Sequence, residues 1–479
     1  MAKSSGAAKI KIGIYMINLN TKNHIHFIGI GGIGMSAIAF VLLRMGHRVS
    51  GSDAKSSDIT RKIEAAGGKF YLGHNENNID GADIVVFSSS ITPENAELKV
   101  ARNRKVPALH RADILSFIMR SKKSIAVTGA HGKTTTSSLI SHILFRVGLD
   151  PTIIVGGEVK SIGGNSRVGE GEHIVVEADE SDGSFINLNP LFGVITNIDE
   201  EHLDYYRNIG EIISWNLRFA EGINADGKLF FCGDCENLRR ALRGYSGKTV
   251  SFGLSDKLDM HPADIKLLNS HSEFNVIYRG DDLGRAALNI PGIHNISNAM
   301  AAFAVVLETG LKFDAIKRAA EDFSGAARRF QEVYSGGEIK IIDDYAHHPE
   351  EIRATIAAAK NWNPKRLVVV FQPHRFSRTK YLRQRFGRCF EPADHLVITD
   401  VYAASEEPIE GVSGKSLYEE VKGQGHKSAV FVQRKQLKEY LLRYVRPSDM
   451  ILILGAGDVA YVSEELAREL SECKSTKKI

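Results

Sequence analysis

The chain has little cysteine, no long apolar run and no surplus of charge of either sign, and each shortage removes a class of function. Four cysteines in 479 residues, at positions 232, 235, 389 and 473, are too few and too scattered for a disulfide framework and indicate a reducing compartment. Cys232-Gly-Asp-Cys235 has the spacing of half a zinc ribbon or of a redox pair, but no second pair or histidine pattern completes it. No stretch reaches the roughly 18 apolar residues of a membrane span. Ile25 to Leu43 comes nearest and is interrupted by small and polar residues. Lysine plus arginine number 61 against 57 aspartates plus glutamates, a net charge of +4, which argues against a dedicated nucleic-acid or polyanion surface.

What the chain does have is length and a repeated strand-to-glycine-to-helix pattern. At 479 residues it exceeds a single core and divides into about three domains. The pattern predicts an α/β protein: a Rossmann-like N-terminal domain (1–121), a central P-loop mononucleotide-binding domain with a mainly parallel sheet (122–329) and a Rossmann-like C-terminal domain (330–479). Residues 1–22 read as a mobile leader. Lys3, Lys9 and Lys11 precede a short apolar patch, Ile12 to Ile17, without the apolar length or cleavage site of a signal peptide, and Met16 is an alternative start.

The most informative stretch is Ala126-Val127-Thr128-Gly129-Ala130-His131-Gly132-Lys133-Thr134-Thr135-Thr136. An apolar strand runs into a glycine turn, a lysine and a threonine cluster, which is the chemistry of a phosphate cradle. Glycines let backbone N–H groups face an anion, Lys133 adds a point charge, Thr134 offers a hydroxyl to Mg²⁺, and the following helix presents its positive end. Val127 stands where the usual pattern has its first glycine, so the loop is a shortened variant.

In the first unit the strand from His24 leads to Gly29-x-Gly31-x-x-Gly34, a helix through Met45, a strand ending at Ser50, and Asp53. This is a dinucleotide-binding fingerprint, with an acid placed for a ribose hydroxyl. A nicotinamide-dependent oxidoreductase would use this unit alone. The strand Ile84 to Ser88 ends in Ser88-Ser89-Ser90 at the carboxyl edge, where such sheets bind ligands, and Arg120 to Ser124 is a polar linker.

In the second unit two strands end in acids: His173 to Val176 leads to Glu177-Ala-Asp179-Glu180-Ser-Asp182, and Gly193 to Thr196 leads to Asn197-Ile-Asp199-Glu200-Glu201-His202-Leu-Asp204. Hard oxygens and one imidazole beside a phosphate cradle suit Mg²⁺, against the alternative of solvated acidic loops. Asn295 and Asn298 face one way at the start of a small-residue helix, Asn295 as its cap, with both amides available to a nucleotide base or ribose. Arg328 and Arg329 close the unit. In the third unit Asp343-Asp344-Tyr345-Ala346-His347-His348-Pro349 ends a strand and opens a helix, and Arg375 and Arg378 follow the strand Arg366 to Phe371 as carboxylate or phosphate readers.

Taken in order, Gly-Ile-Gly-Gly-Ile-Gly-Met-Ser (29–36), Thr-Gly-Ala-His-Gly-Lys-Thr-Thr (128–135), Glu-Ala-Asp-Glu-Ser-Asp (177–182), Asn-Ile-Asp-Glu-Glu-His (197–202), His-Asn-Ile-Ser-Asn-Ala (294–299), Arg-Arg-Phe (328–330), Asp-Asp-Tyr-Ala-His-His-Pro (343–349) and Gln-Pro-His-Arg-Phe-Ser-Arg-Thr (372–379) resemble the Mur ligases from about His24 to about Leu470. The resemblance implies a cytoplasmic enzyme of peptidoglycan synthesis that uses ATP, with two Mg²⁺ ions or Mn²⁺ in their place. Its substrates would be UDP-N-acetylmuramic acid and L-alanine, with no nucleic acid or membrane partner, and it would work as a monomer or homodimer. A sister ligase that attaches a preformed peptide is the alternative.

Residue by residue, the resemblance implies a nucleotide site at Gly129, Ala130, His131, Gly132, Lys133, Thr134, Thr135, Asn295, Asn298, Arg329 and Asp344, with Asp344 against the ribose. It implies catalytic roles for Lys133, His202 and Arg329, and metal ligation by Thr134, Glu177 and His202. Gly31, Gly32, Gly34, Asp53 and Ser89 would hold the sugar nucleotide, and His347, Arg375 and Arg378 the alanine. Many Mur ligases carry a carbamylated lysine shortly after the metal histidine. Leu203 to Ala220 contains no lysine, which fits the alanine-adding branch. Hinges are expected near Ser121 to Ser124 and Arg329 to Gly337.

Overall fold

The computed structural model describes residues 10–12, 15–17, 21–336, 338–404 and 406–476. The expected leader lies largely outside these residues; within it Ile10–Ile12 and Tyr15–Ile17 pair as an antiparallel hairpin. Gly337, at the expected second hinge, also lies outside them.

Three further sheets organise the chain into a three-domain α/β fold. The first has five parallel strands in the order Lys69–Leu72, Arg48–Asp53, His24–Ile28, Ile84–Phe87, Ala108–His110, the 3-2-1-4-5 order of a Rossmann-like half. The strand expected to end at Ser50 continues to Asp53. That extension carries Ser52 beside the glycine loop, where its carbonyl accepts the N–H groups of Gly29 and Ile30.

The central sheet has ten strands. From Thr152–Val159 through His173–Glu177, Lys123–Thr128, Phe192–Ile195, Lys228–Cys232 and Thr249–Phe252 to Met260–Leu267 neighbours run parallel. The far edge turns antiparallel through Ser272–Tyr278 and Asp281–Leu288. There the sequence alternates, with Phe274 and Val276 buried and Glu273, Asn275 and Ile277 half-buried, so one face meets the core and the other meets water. The central parallel strands are apolar throughout, as Ile125, Ala126 and Val127 show, because helices cover both faces. The helix Lys133–Arg146 is buried from Thr134 to Leu144 and packs against the helix Ile293–Leu307, whose alanines allow close approach.

The third sheet orders Gln331–Gly336, Ile339–Asp344, Asp449–Leu454, Arg366–Phe371, His395–Ile398 and Ala429–Phe431, parallel except for the first pair. The apolar cores of the first two domains are continuous, while the third keeps its own. Cys232 and Cys389 are buried and, with Cys235, are free thiols. Among the described residues no helix is long and apolar enough to cross a membrane.

Candidate functional site

Sheet order decides where the site lies. His173–Glu177, Lys123–Thr128 and Phe192–Ile195 are adjacent parallel strands, so their carboxyl ends bring the phosphate loop, the 177–182 loop and the 197–204 loop to one edge. The loops of the first and third domains face the same edge. A cavity of about 390 Å³ between them is lined by Gly34 and Arg111 of the first domain, Lys133, Thr134, Glu177 and His202 of the second, and Arg329, His347, Arg375 and Arg378 of the segment that follows.

The phosphate loop is held from one side by the strand end beside it. Asn197 brackets His131, accepting its N–H at 2.9 Å and donating to its carbonyl at 2.9 Å, while Thr196 donates to the same carbonyl at 2.6 Å. Gly129 and Gly132 have φ of +120° and +81°, and a Cβ on either would strike Thr196 or Asn298 at 2.4 Å, so only glycine fits. Gly132 begins the helix Lys133–Arg146 without a side-chain cap, which leaves the helix N–H groups open to an anion. Lys133 folds back on its own loop and donates to Gly129 and Ala130 carbonyls at 2.6 and 3.2 Å and to Glu180 at 2.8 Å. Burial works against its charge, but Glu180 outweighs this and raises its pKa.

Of the two acidic loops, only Glu177 keeps the company of a hard-cation site. It accepts from the Thr134 hydroxyl at 3.0 Å and from the Gly156 N–H at 2.8 Å, and Thr134 stands in the first turn of the helix that follows the phosphate loop. The donor set of a hydroxyl and a carboxylate fits Mg²⁺. Of the other acids, among which further metal ligands were expected, Glu180 is held by Lys133 of the same domain, and Asp179, Asp182, Asp199, Glu201 and Asp204 are taken by cations of neighbouring domains. Asp179 and Asp182 pair with Arg111 at 3.1 and 3.4 Å, and Asp182 also accepts from Ser89 at 2.6 Å, which ties the first domain to the second. Asp199 binds both guanidinium nitrogens of Arg385 at 3.0 and 3.1 Å, Glu201 binds Arg378 at 2.9 Å and Asp204 binds Arg375 at 3.0 Å, which tie the second to the third. His202 lines the cavity with φ of +54° and its Nε2 3.8 Å from Glu180.

His131 joins this junction. Its Nε2 lies 3.2 Å from Asp199, its Nδ1 3.4 Å from Glu351, and its ring centroid 4.5 Å from that of His348. Burial disfavours its charge, yet donation from the ring N–H groups to the Asp199 and Glu351 carboxylates prevails and raises its pKa to about 9. His131, Glu201 and His348 each bring a ligand-type atom within 4.8 Å of the others. Since His131 serves Asp199, Glu201 serves Arg378 and His348 caps the helix Pro349–Lys360, we assign this group to the domain junction rather than to a metal.

Several sequence-predicted residues sit elsewhere than expected. Asn295 is not a cap: the helix Ile293–Leu307 starts at Gly292, and the Asn295 amide donates to the Pro291 carbonyl at 2.7 Å while accepting from Asn298 at 3.2 Å. Asn298 abuts Gly132 from behind the loop. Asp53 turns back onto the glycine loop and accepts the Gly31 N–H at 2.9 Å. Asp344 is buried, with its oxygens taken by the N–H groups of Phe330 at 2.7 Å and Ala346 at 2.8 Å, and burial pushes its pKa up to about 6. None of Gly31, Gly32, Asp53, Ser89, Gly129, His131, Thr135, Asn295, Asn298 or Asp344 lines the cavity, whereas Gly34, Ala130, Gly132, Lys133, Thr134, Glu177, His202, Arg329, His347, Arg375 and Arg378 do.

Arg111 and Glu351 were missed. Arg111 stands so close to the glycine loop that a Cβ on Gly34 would meet its guanidinium at 2.7 Å. It has no motif, only a place in the first turn of the helix Arg111–Arg120. Glu351 had a signal, since His348-x-x-Glu351 has the spacing of a capping box, with histidine in the place of serine or threonine.

Comparison with known proteins agrees with this architecture. Residues 24–123 match the model of the Mur ligase family catalytic domain, 127–306 that of the Mur ligase middle domain and 328–457 that of the Mur ligase glutamate ligase domain. A UDP-N-acetylmuramate--L-alanine ligase of Pelotomaculum thermopropionicum is 47% identical over 456 residues, covering 95% of this chain and 99% of that one. The crystal structure of the UDP-N-acetylmuramate-alanine ligase from Thermotoga maritima superposes with a TM-score of 0.80 at 30% identity, covering 94% of this chain and 100% of that one. A murein peptide ligase from Psychrobacter arcticus shares the fold at 22% identity and a TM-score of 0.68, covering 94% of this chain and 98% of that one. With the three domain models in register and near full-length relatives, the chain belongs to the Mur ligase family.

Proposed function

We propose that the chain joins L-alanine to the lactyl carboxylate of UDP-N-acetylmuramic acid, converting ATP to ADP and phosphate, as a cytoplasmic step of peptidoglycan synthesis. One observation carries this reading: a single cavity is lined by the glycine loop of the first domain, the phosphate loop of the second and the arginine loop of the third. Three substrates can therefore meet there. The name carried by the 47% identical relative supports the alanine branch, and two peptide-adding ligases of known structure are less alike, at 22% and 26% identity.

A carboxylate is a poor electrophile, so its oxygen first attacks the γ-phosphorus and ADP departs with the bridging oxygen. The amine nitrogen then attacks the acyl carbon, and phosphate leaves. The first step presses anions together: two unit charges about 4 Å apart repel by roughly 4 kcal/mol at an effective dielectric of 20. Lys133 and Arg329 are the cations we assign to this task, Lys133 by exchanging Glu180 for the phosphates and Arg329 from the loop that enters the third domain. Thr134 and Glu177 are the residues that would hold Mg²⁺, with His202 at a second ion. Bound there, the metal would neutralise triphosphate charge.

The cations of this site are paired with protein acids before any substrate arrives. Arg378 with Glu201, Arg375 with Asp204 and Lys133 with Glu180 keep charges satisfied that the substrates would otherwise have to desolvate alone. Exchange of these acids for substrate anions, with the chain flexing near residues 121–124 and 329–337, gives closure a driving force and excludes water from the acyl phosphate. The division at 121/122 and 329/330 belongs to the same reading. Arg375 and Arg378 are assigned to the alanine carboxylate, and the Gly29–Gly34 loop with Arg111 to the sugar nucleotide diphosphate.

The test is phosphate release from ATP with Mg²⁺ and UDP-N-acetylmuramic acid, comparing L-alanine, glycine, L-serine, a preformed tripeptide and no amine. Release that requires both the sugar nucleotide and L-alanine is the expected result. Preference for the tripeptide would move the chain to the sister branch, and release with no combination would reject the ligase.

A further inference from the structure

His347 reaches the cavity with one ring nitrogen already engaged. Its Nδ1 lies 3.0 Å from the Tyr345 carbonyl oxygen, and since a carbonyl only accepts, Nδ1 carries the proton and donates. Glu351 Oε2 stands 3.5 Å from the same nitrogen. That carboxylate is fixed in turn, because it accepts the backbone N–H groups of His347 at 3.1 Å and His348 at 3.3 Å at the start of the helix Pro349–Lys360. The lone pair is thus left on Nε2, in a residue that lines the cavity. The charged and titratable groups facing the ring are Arg378 and His374 from the arginine loop, Glu201 from the central domain, Glu351, and the Tyr345 ring at 5.3 Å between centroids. Burial and Arg378 keep the imidazole neutral, with its pKa held down at about 4.

The reaction proposed above leaves one proton without a carrier. L-Alanine arrives as an ammonium, whose nitrogen has no pair to offer until a proton departs. Lys133, Arg329, Arg375 and Arg378 are cations, Glu201 is bound to Arg378, and Glu177 is held by Thr134 and Gly156 on the phosphate side. Resting on that ligase reading, we infer that His347 Nε2 is the general base that takes the proton from the alanine ammonium, with its tautomer fixed by the Tyr345 carbonyl and with Glu351 as the positioning residue whose charge steadies the imidazolium.

The balance is complete with groups on hand. An ammonium N–H bond breaks, its pair stays on nitrogen, and the proton goes to Nε2. The amine attacks the acyl carbon, the bond from that carbon to the phosphate oxygen breaks, and phosphate leaves with the pair and with the second amine proton. His347, now imidazolium, is braced by Glu351 and returns its proton to water after product release.

The experiment compares two acceptors in the full-length wild-type, His347→Asn and Glu351→Gln enzymes. Hydroxylamine is largely unprotonated near neutrality and needs no base to expose its lone pair, and asparagine keeps an N–H for the Tyr345 carbonyl. His347→Asn is expected to lose about 10²- to 10⁴-fold in kcat with L-alanine while still forming hydroxamate from UDP-N-acetylmuramic acid and ATP. Glu351→Gln is expected to lose less and to move the acidic limb of the kcat profile for L-alanine to lower pH, because the charge that favours the imidazolium is gone. Equal loss with both acceptors in a folded His347→Asn enzyme, unchanged alanine turnover, or an unmoved limb in Glu351→Gln would overturn the assignment. Should His347→Asn not fold, the Glu351→Gln profile decides. A wild-type enzyme that forms neither amide nor hydroxamate fails as a ligase, and the inference falls with it.

Discussion

Arg378 of the third domain and Glu201 of the central domain form an ion pair at 2.9 Å with side chains only 9% and 7% exposed. Burial pushes the Glu201 carboxyl up, but Arg378 and the nearby histidines hold it well below the usual range. A buried pair is costly to break from one side, because the remaining charge stays desolvated. Arg378→Ala is therefore expected to destabilise the chain by about 3–5 kcal/mol, and Arg378→Met with Glu201→Leu to regain most of it. Calorimetric unfolding of the single and double variants measures this. A single variant as stable as wild type would show that the pair is open in solution.

Lys133 meets Glu180 at 2.8 Å and two carbonyls of its own loop. Lys133→Ala is expected to lower kcat by at least about 10²- to 10³-fold, the range seen when one preorganised donor is removed. Adding Glu180→Gln removes the stranded charge, so it should recover stability without recovering turnover. Steady-state phosphate release alongside thermal unfolding separates the two effects, and recovered turnover would deny Lys133 its role.

Glu177 accepts from Thr134 and Gly156 rather than from a cation of a neighbouring domain. Glu177→Gln is expected to raise the Mg²⁺ concentration needed for half-maximal activity by about 10- to 100-fold, in the range found when metal-site groups are replaced. A Mg²⁺ titration at saturating ATP checks it. An unchanged requirement would place the ion elsewhere.

His131 links stability to pH. Its folded-state pKa of about 9 lies above the ordinary 6.5, so the stabilisation it confers through Asp199 and Glu351 is complete below about 6.5 and fades as pH rises through 9. The gap in unfolding temperature between wild type and His131→Asn should be widest below about 6.5 and narrow toward 9 and beyond. A gap that grows with pH would mean that His131 is neutral in the fold.

Much of the backbone framework of the candidate site was legible because its determinants are local. A strand running into Gly129 and Gly132 needs only backbone freedom at φ of +120° and +81° to form a cradle, and that requirement is written in adjacent residues. The same holds for Gly29 at φ of +81° and for the parallel strands that alternate with helices. The local partners of Asp53 and Asp344 were not legible for a physical reason: each carboxylate accepts from backbone N–H groups that only the folded turn presents.

The sequence by itself thus determined the strand-to-helix units, the phosphate loop and the family of the chain, since these depend on residue order and on turns a few residues long. The tertiary structure alone decided the partners of the acids. Glu201 meets Arg378 across 177 positions, Asp199 meets Arg385 across 186, and Asp182 meets Ser89 across 93. Charge attracts without regard to position in the chain, so an acidic loop looks the same in sequence whether it holds a metal or a neighbouring domain. Which of the two it does follows from sheet order and domain placement, which bring those side chains within hydrogen-bond reach.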